Sequence, residues 1–174
     1  MAGSTDGRPE NRRILWAPWR IEYIENADKP SGCIFCLKPR EKDDRSNLIV
    51  FRGESAFVIL NRYPYNSGHV MVVPLRHTAD LSALGPEEKI ELLDLLVASQ
   101  RALTGVMRPQ GFNVGMNLGR PAGAGIEDHL HFHVVPRWNG DTNFMPVLGD
   151  TKVVSEGLDQ TWAKLSEAFK KQKK

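Results

Sequence analysis

The sequence predicts an α+β domain: a five-stranded antiparallel sheet, one long central helix and a second helix at the C-terminus. Five short apolar or alternating runs are typical of strands. Most links between these runs have hairpin length, which favours antiparallel pairing. Two longer stretches repeat apolar residues at helical spacing. Strands and helices grouped in this way define the α+β class.

The first three strands lie in the first half of the chain. The runs "LIVF" (48–51) and "AFVIL" (56–60) flank "RGES", which fits a hairpin turn. After the loop "NRYPYNSG", the run "HVMVVP" (69–74) predicts the third strand. Its last residue, Pro74, ends it, because proline cannot donate to a ladder.

The long helix is predicted over 86–107. Pro86 stands at its start and two glutamates lie in its first turn, where the helix dipole favours negative charge. Apolar residues then recur at helical spacing and indicate a face directed at the core. They are Leu92, Leu93, Leu96, Leu103 and Val106.

The rest of the chain supplies two strands and the second helix. The run 111–119 alternates, "RPAGAGIED" is a glycine-rich loop, and "HLHFHVVP" (129–136) predicts the last strand. Residues 157–174 predict a helix with a solvated, lysine-rich end. We expect residues 1–13 to be a flexible tail and 14–174 a single domain with an N-terminal extension.

Composition excludes several classes of protein. No apolar run approaches the ~20 residues that span a bilayer, so no membrane partner is expected. The first residues lack the apolar region of a signal peptide, which predicts a cytoplasmic location. A net charge of +2 makes no case for nucleic acid. The two cysteines cannot form the disulfide framework of a secreted domain.

Three of the five histidines occupy alternate positions, at His129, His131 and His133. Alternate side chains of a strand share one face. Chance is a poor explanation, because the five histidines fall in two short regions. A zinc site could use such a triad. Phosphate chemistry could use it too, with a neutral imidazole attacking phosphorus. Spacing alone leaves metal and phosphate open.

The segment "NLGRPAGAG" leads into these histidines and favours phosphate. Glycines such as Gly125 let backbone N–H groups approach an anion, and Arg120 adds a fixed cation. The segment is no P-loop, because no G-K-[ST] follows.

The motif "HLHFHVV" resembles the H-φ-H-φ-H-φ-φ signature of the histidine triad (HIT) superfamily. The resemblance runs from about residue 48 to 137. It includes "AFVILNRYPYNSGHVMVVPLRH", similar to the family's ribose-binding strand pair, and "GFNVGMNLGRPAGAG", similar to its phosphate loop. The segments "LWAPWR" and "PRWNGDTNF" resemble bacterial members that split diadenosine polyphosphates.

The resemblance implies roles for particular residues. His131 matches the family's nucleophile, which forms a covalent nucleotidyl-histidine, whereas His133 and His69 match its phosphate contacts. Asn117 matches an amide near the α-phosphate, and Asn61 matches the residue that holds the ribose hydroxyls.

Two strand residues, Ile59 and Phe57, are candidate contacts to the base, although either could equally lie in the core. Family members often carry Ser or Gln just before the triad. This chain has neither after Asn117, so Glu127, Asp128 or water would have to serve the leaving group.

Cys33-Ile-Phe-Cys36 lies in a predicted polar loop and is weak evidence by itself. It could be a redox pair or two unlinked cysteines. Bacterial relatives with "CIFC" bind a structural zinc, and their pattern transfers to Cys33, Cys36, His77 and His129. His129 would then turn away from the catalytic face, which a twisted strand allows at its first residue. No organic cofactor is implied.

The resemblance therefore predicts a nucleotidyl hydrolase or transferase that splits dinucleoside polyphosphates of the diadenosine tri- or tetraphosphate type. Water or phosphate could be the acceptor. One alternative is a nucleotide- or partner-binding module with weak phosphoramidase activity, and another is a hydrolase with catalytic zinc on the triad. Nucleic acid is only a weak possibility, since no basic extension supports it.

A homodimer is also implied, since family members pair about a two-fold axis. The sheet edge needs cover. The long helix carries further apolar residues, Ile90, Leu95 and Val97, away from its core-facing stripe. A second copy, or the N-terminal segment with Trp16 and Trp19, would cover that face.

Overall fold

The five strands form one sheet in the order β1-β2-β3-β5-β4, and every neighbouring pair is antiparallel. The computed structural model describes residues 32–142 and 156–172. These residues, Thr142 excepted, belong to one unit formed by 29–141 and 154–174. The predicted fold class is confirmed. The strands are β1 (Ile49–Arg52), β2 (Ala56–Leu60), β3 (Val70–Pro74), β4 (Gly111–Gly115) and β5 (Phe132–Arg137).

The described ranges contain three α-helices: α1 (Ile34–Leu37), α2 (Pro86–Met107) and α3 (Leu158–Gln172). Helix α2 begins at a proline, and the Glu88 carboxylate accepts a hydrogen bond from the N–H of Gly85, as expected for a capped N-terminus. Helix α2 packs on β2, β3 and β5, whereas α3 packs on α2 and β1. Short 3₁₀ turns occupy 38–40, 81–83 and 120–122.

The core lies between α2 and the sheet, whose central strands are buried throughout. One detail of the predicted helix face is wrong. Leu93, assigned to the core, is 60% exposed, whereas Leu95, placed off the core stripe, is 6% exposed. The buried face includes Leu92, Leu95 and Leu96 but not Leu93, and its position depends on how α2 lies across the sheet.

The strand register brings the catalytic candidates together. His133 in β5 is paired with Met71 of β3 on one side and with Gly115 of β4 on the other. His69 directly precedes β3. The pairing of Val70 with Val134 therefore makes His69 and His133 diagonal neighbours on adjacent strands, within reach of each other's side chains.

Gly68 fixes the entry of the chain into His69. Its φ is +78°, in the left-handed region that side chains rarely adopt. A Cβ there would lie 2.5 Å from Met107 Sδ and 3.0 Å from Leu103 Cδ2. Only glycine lets the backbone approach α2 this closely, so Gly68 sets where His69 begins.

Three larger differences separate the predicted elements from the structure. Strand β4 ends at Gly115 rather than at residue 119, and β5 begins at Phe132 rather than at His129. The predicted polar loop around the cysteines contains helix α1, with Cys33 at its N-cap. His129 therefore lies in the turn before the strand, and strand alternation does not set its direction.

Several predictions concern residues outside the described ranges, among them the tail 1–13 and the segment with Trp16 and Trp19. Within 32–142 and 156–172, no helix has the length and apolar character needed to cross a membrane.

Candidate active site and metal cluster

His131 is buried at the end of the turn that leads into β5. Its side chain Nδ1 lies 2.8 Å from the carbonyl oxygen of His129. A carbonyl can only accept, so Nδ1 carries the proton and Nε2 is left with a free electron pair. The backbone of the turn thus selects the tautomer that a nitrogen nucleophile requires.

Burial also favours the neutral form of this ring. His131 is 5% exposed. Burial lowers the pKa of His131 below 6.5, and the hydrogen bond to the His129 carbonyl only partly opposes that effect. The ring is therefore unprotonated at neutral pH, which is the nucleophilic state.

His69 and His133 form a hydrogen-bonded pair. The backbone N–H of Tyr65 donates to Nδ1 of His69 over 3.0 Å, so that nitrogen is unprotonated. The other ring nitrogen, Nε2, then carries hydrogen and donates to Nδ1 of His133 over 2.9 Å. His133 in turn carries its hydrogen on Nε2. This chain of tautomers makes His133 a donor suited to a phosphoryl oxygen.

Tyr65 and Asn61 surround the ring of His69. The Tyr65 ring stacks on it with centroids 4.8 Å apart, and the Asn61 amide nitrogen lies 3.3 Å from its Nδ1. The Asn61 side-chain oxygen accepts from the N–H of Tyr63 over 3.0 Å. Asn61, predicted to hold the ribose, is half-buried beside the histidine pair.

The glycine-rich loop is compact. Gly119 and Gly123 both have positive φ, at 77° and 91°, and Gly123 accepts a hydrogen bond from the Asn117 amide over 3.4 Å. Arg120 and Gly125 are exposed at the loop surface. The loop thus presents a cation and backbone turns to solvent, as an anion site would.

The two candidate base contacts are both core residues in this structure. Ile59 and Phe57 are each 1% exposed and belong to the hydrophobic core between α2 and the sheet. Their burial favours the structural role that the sequence left open.

Four further side chains meet in a separate cluster. The ligand atoms of Cys33, Cys36, His77 and His129 all lie within 4.8 Å of one another. Nδ1 of His129 is 3.3 Å from Sγ of Cys33 and 3.2 Å from Nδ1 of His77. Nδ1 of His77 is 3.3 Å from Sγ of Cys36. These are the four residues that the resemblance assigned to zinc.

The cluster fits a tetrahedral metal. Bonds of about 2.3 Å to sulfur and about 2.0–2.1 Å to nitrogen place S and N about 3.6 Å apart and two nitrogens about 3.3 Å apart. Nε2 of His129 donates to the Pro74 carbonyl over 2.8 Å, which leaves Nδ1 unprotonated for a metal. Burial, and then the adjacent Cys33, raise the pKa of Cys36, because a second thiolate is costly without a cation.

The structure separates the two uses of the triad. His129 joins the cysteines. The other two triad histidines lie near His69: the ring centroids of His131 and His133 are 5.0 Å apart, and those of His133 and His69 are 5.1 Å apart. Among the described residues, the four-residue cluster is the one group placed to hold a metal. A catalytic zinc on all three triad histidines is therefore inconsistent with the geometry.

The sequence did not predict two aromatic residues that contact the histidine rings. Phe35 lies between the two cysteines and packs on the rings of His129 and His131. Tyr65 stacks on His69 and also approaches His133. A large aromatic between two candidate metal ligands was a signal for Phe35, and a tyrosine four residues before the candidate catalytic His69 was one for Tyr65.

Comparison with known proteins identifies the family of this chain. A sequence profile of the HIT domain matches residues 42–140, more than half of the chain. The chain belongs to the HIT domain family.

Three relatives bear on the chemistry. An AP-4-A phosphorylase of Mycobacterium tuberculosis is 38% identical over 173 residues, which is 95% of this chain and 89% of the relative. An adenosine 5'-monophosphoramidase of Schizosaccharomyces pombe is 31% identical over 62% of this chain and 76% of its own. The crystal structure of a Zn-bound histidine triad family protein from Mycobacterium smegmatis is similar with a TM-score of 0.64 and 25% identity, covering 82% of this chain and 96% of that one.

Proposed function

We propose that this protein splits dinucleoside polyphosphates of the diadenosine tri- or tetraphosphate type, with His131 as the nucleophile. The observation that carries the proposal is the tautomer of His131, whose Nδ1–H is held by the His129 carbonyl so that Nε2 is free to attack. The 38% identical AP-4-A phosphorylase supports the class of substrate.

The reaction takes two displacements at one phosphorus. Nε2 of His131 attacks the α-phosphorus, an N–P bond forms, and the P–O bond to the departing polyphosphate breaks. The acceptor then attacks the same phosphorus, the N–P bond breaks, and its electron pair returns to Nε2. His133 donates to a phosphoryl oxygen, and His69 fixes the tautomer of His133.

The remaining contacts position the nucleotide. Asn61 is placed to hold the ribose, because its amide lies at the edge of the histidine pair. Asn117, Arg120 and Gly125 belong to the loop that leads to the triad, where they serve the phosphates. Ile59 is buried in the core and does not face the nucleotide, so it would shape the site for the base only indirectly.

We propose phosphate as the natural acceptor, since the 38% identical relative is a phosphorylase. Incubation of the protein with diadenosine tetraphosphate and inorganic phosphate should give ADP and ATP. Without phosphate, slower attack by water should give AMP and ATP. Chromatography of the products distinguishes the two acceptors, and unchanged substrate in both arms would contradict the proposed activity.

The second candidate is a nucleotide-binding or partner-binding module with weak phosphoramidase activity. The 31% identical adenosine 5'-monophosphoramidase favours it. Adenosine 5'-phosphoramidate is therefore included as a parallel substrate in the same assay. Turnover of that compound without turnover of dinucleoside polyphosphates would establish this alternative.

Zinc is the metal we propose for Cys33, Cys36, His77 and His129. Two sulfur and two nitrogen donors in a tetrahedral arrangement suit Zn²⁺, and the similar Mycobacterium smegmatis structure is Zn-bound. Zinc with four protein ligands supplies structural stability rather than a reactive water. Neither Cys33 nor Cys36 is in a disulfide, which suits a reducing compartment and supports a cytoplasmic location.

We also propose a homodimer. Helix α2 exposes an apolar stripe, with Ile90 59%, Leu93 60% and Val97 45% exposed. Val114, 45% exposed, lies on β4 at the edge of the sheet. Residues three and seven apart share one side of a helix, so the stripe is continuous and suits burial against a second copy.

Leu93→Glu should therefore dissociate the dimer, because the new carboxylate would be buried in an apolar contact. Sedimentation equilibrium at micromolar protein should find about twice 19.5 kDa for the natural chain and 19.5 kDa for the variant. Ala163→Glu, on an exposed position of α3, is the matched control and should stay dimeric. A natural chain of 19.5 kDa would contradict the dimer and favour cover by the Trp16 and Trp19 segment.

A further inference from the structure

Phe35 occupies the centre of the cysteine motif. Cys33 stands at the N-cap of α1, and the single helical turn from Ile34 to Leu37 directs the Phe35 ring inward. The ring is 1% exposed, although both neighbouring cysteines are only partly buried. The metal-binding turn thus inserts one large apolar group into the body of the domain.

The Phe35 ring contacts both the metal cluster and the proposed nucleophile. Its centroid lies 5.4 Å from that of His129, at an interplanar angle of 72°. It also lies 5.1 Å from the centroid of His131, at 48°. These are distances at which aromatic rings pack in edge-to-face or tilted contact. A single side chain therefore connects a metal ligand with the reacting ring.

We propose that Phe35 is a positioning residue through which the metal-binding turn holds the His131 ring in its reactive orientation. Metal occupancy then sets the rate of the nucleophilic step, while nucleotide binding is left almost unchanged. The inference rests on the proposed function of His131. It adds Phe35, which acts through His131 and not on the phosphate. It also gives the metal cluster a role in the reaction rate besides its role in stability.

The restraints on His131 explain why one packing contact matters. The hydrogen bond from Nδ1 to the His129 carbonyl fixes one edge of the ring. The ring of His133 meets it edge-on at 5.0 Å and 78°. Phe35 supplies a further contact, at a tilt to the ring. Without Phe35 the imidazole can tilt, and a displacement of about 1 Å can cost about 100-fold in rate.

The metal cluster is connected to His131 through two contacts, the His129 carbonyl and the Phe35 ring. His129 is a cluster residue whose own carbonyl accepts from His131, and Cys33 and Cys36 hold the turn that carries Phe35. Loss of the metal would therefore loosen both His129 and the turn that carries Phe35. The nucleotide contacts proposed at Asn61 and Asn117 belong to other segments of the chain, so affinity should change far less than rate.

Phe35→Leu tests the ring contact while keeping an apolar side chain in place. We expect kcat with diadenosine tetraphosphate to fall about 10- to 100-fold, with KM and the Kd for AMP within about twofold. Zinc per chain should equal that of the natural protein. Phe169→Leu is the matched control, because Phe169 is equally buried but packs on Phe51 in the core. It should lower stability and leave kcat unchanged.

Metal removal tests the same coupling without a substitution. Stripped natural protein should form the nucleotidyl adduct about as slowly as zinc-loaded Phe35→Leu, with AMP affinity retained. Removing zinc from the Phe35→Leu protein should lower the rate of adduct formation only slightly further, because two changes that act through one contact are not additive. Equal losses of rate and AMP affinity on stripping would mean a purely structural metal and would overturn the proposal.

Nitrogen NMR of the His131 ring keeps this test separate from the proposed function. The natural zinc-loaded protein should give one tautomer, with hydrogen on Nδ1, and Phe35→Leu should give exchange between tautomers. Phe35→Met serves if the leucine variant does not fold. Turnover by His131→Asn would refute the nucleophile but not the coupling. An unchanged tautomer with unchanged kcat in a zinc-loaded Phe35 variant would refute the coupling alone.

Discussion

His131→Asn is expected to lower the turnover of diadenosine tetraphosphate by at least about 10⁴-fold, because the side chain proposed to form the covalent bond is lost. AMP affinity should change by less than about tenfold, since the ring acts mainly in the chemical step. Asparagine retains a polar group near the His129 carbonyl, so the turn before β5 should keep its form. Steady-state kinetics and AMP titration on the same preparation measure both quantities.

A matched variant on the neighbouring histidine separates the two roles. His133→Asn should slow turnover less, because the role proposed for His133 is a hydrogen bond to the phosphate and not the reacting nitrogen. Mass spectrometry of protein quenched at alkaline pH should then find the adenylyl group on His131 in the natural chain and in His133→Asn. An adduct on His133 would overturn the assignment of the nucleophile.

The sheet and the long helix could be predicted from the sequence because their signals are local. The runs that form β1, β2 and β3 are continuous apolar segments with turn residues between them, and Pro86 marks the first residue of α2. What the sequence could not provide was the rotation of α2 over the sheet. That rotation, which buries Leu95 and exposes Leu93, depends on packing between distant segments.

The direction of His129 also depends on tertiary contacts. The sequence placed His129 in a strand, where alternation would align it with the other two histidines. In the structure Leu130 N–H donates to the carbonyl of Thr78, and Nε2 of His129 donates to that of Pro74. These bonds tie the turn to the end of β3 and direct the ring toward His77. Both partners lie more than fifty residues away, beyond any local pattern.

The four candidate metal ligands were predictable only through the family resemblance, since C-x-x-C and one histidine have several meanings. The structure supplies the physical reason for the choice: donor atoms from α1, the segment after β3 and the turn before β5 converge within 4.8 Å. The same convergence explains why Phe35 escaped notice. Its partners are fixed by the fold rather than by spacing.

Loss of the metal should have the second large effect, on stability. Chelation of the zinc-loaded protein, or Cys36→Ser, is expected to lower Tm by about 10 °C or more. A ligand at 1,000 times its Kd contributes about 4 kcal/mol, and a domain of this size loses about 2–4 °C per kcal/mol. Without the metal the four donors would also be left to crowd one another, and burial and the adjacent Cys33 raise the pKa of the Cys36 thiol.

Thermal unfolding followed by circular dichroism, together with metal analysis, measures this effect. The Cys36→Ser protein is its own control, because a chelator should not lower its Tm further when the ligand set is already broken. Purified natural protein should contain about one zinc per chain. Less than about half an equivalent, or a disulfide between Cys33 and Cys36, would contradict a structural site. An unchanged Tm with immediate loss of all turnover would instead indicate a catalytic zinc, because the metal would then act on substrate and not on the fold.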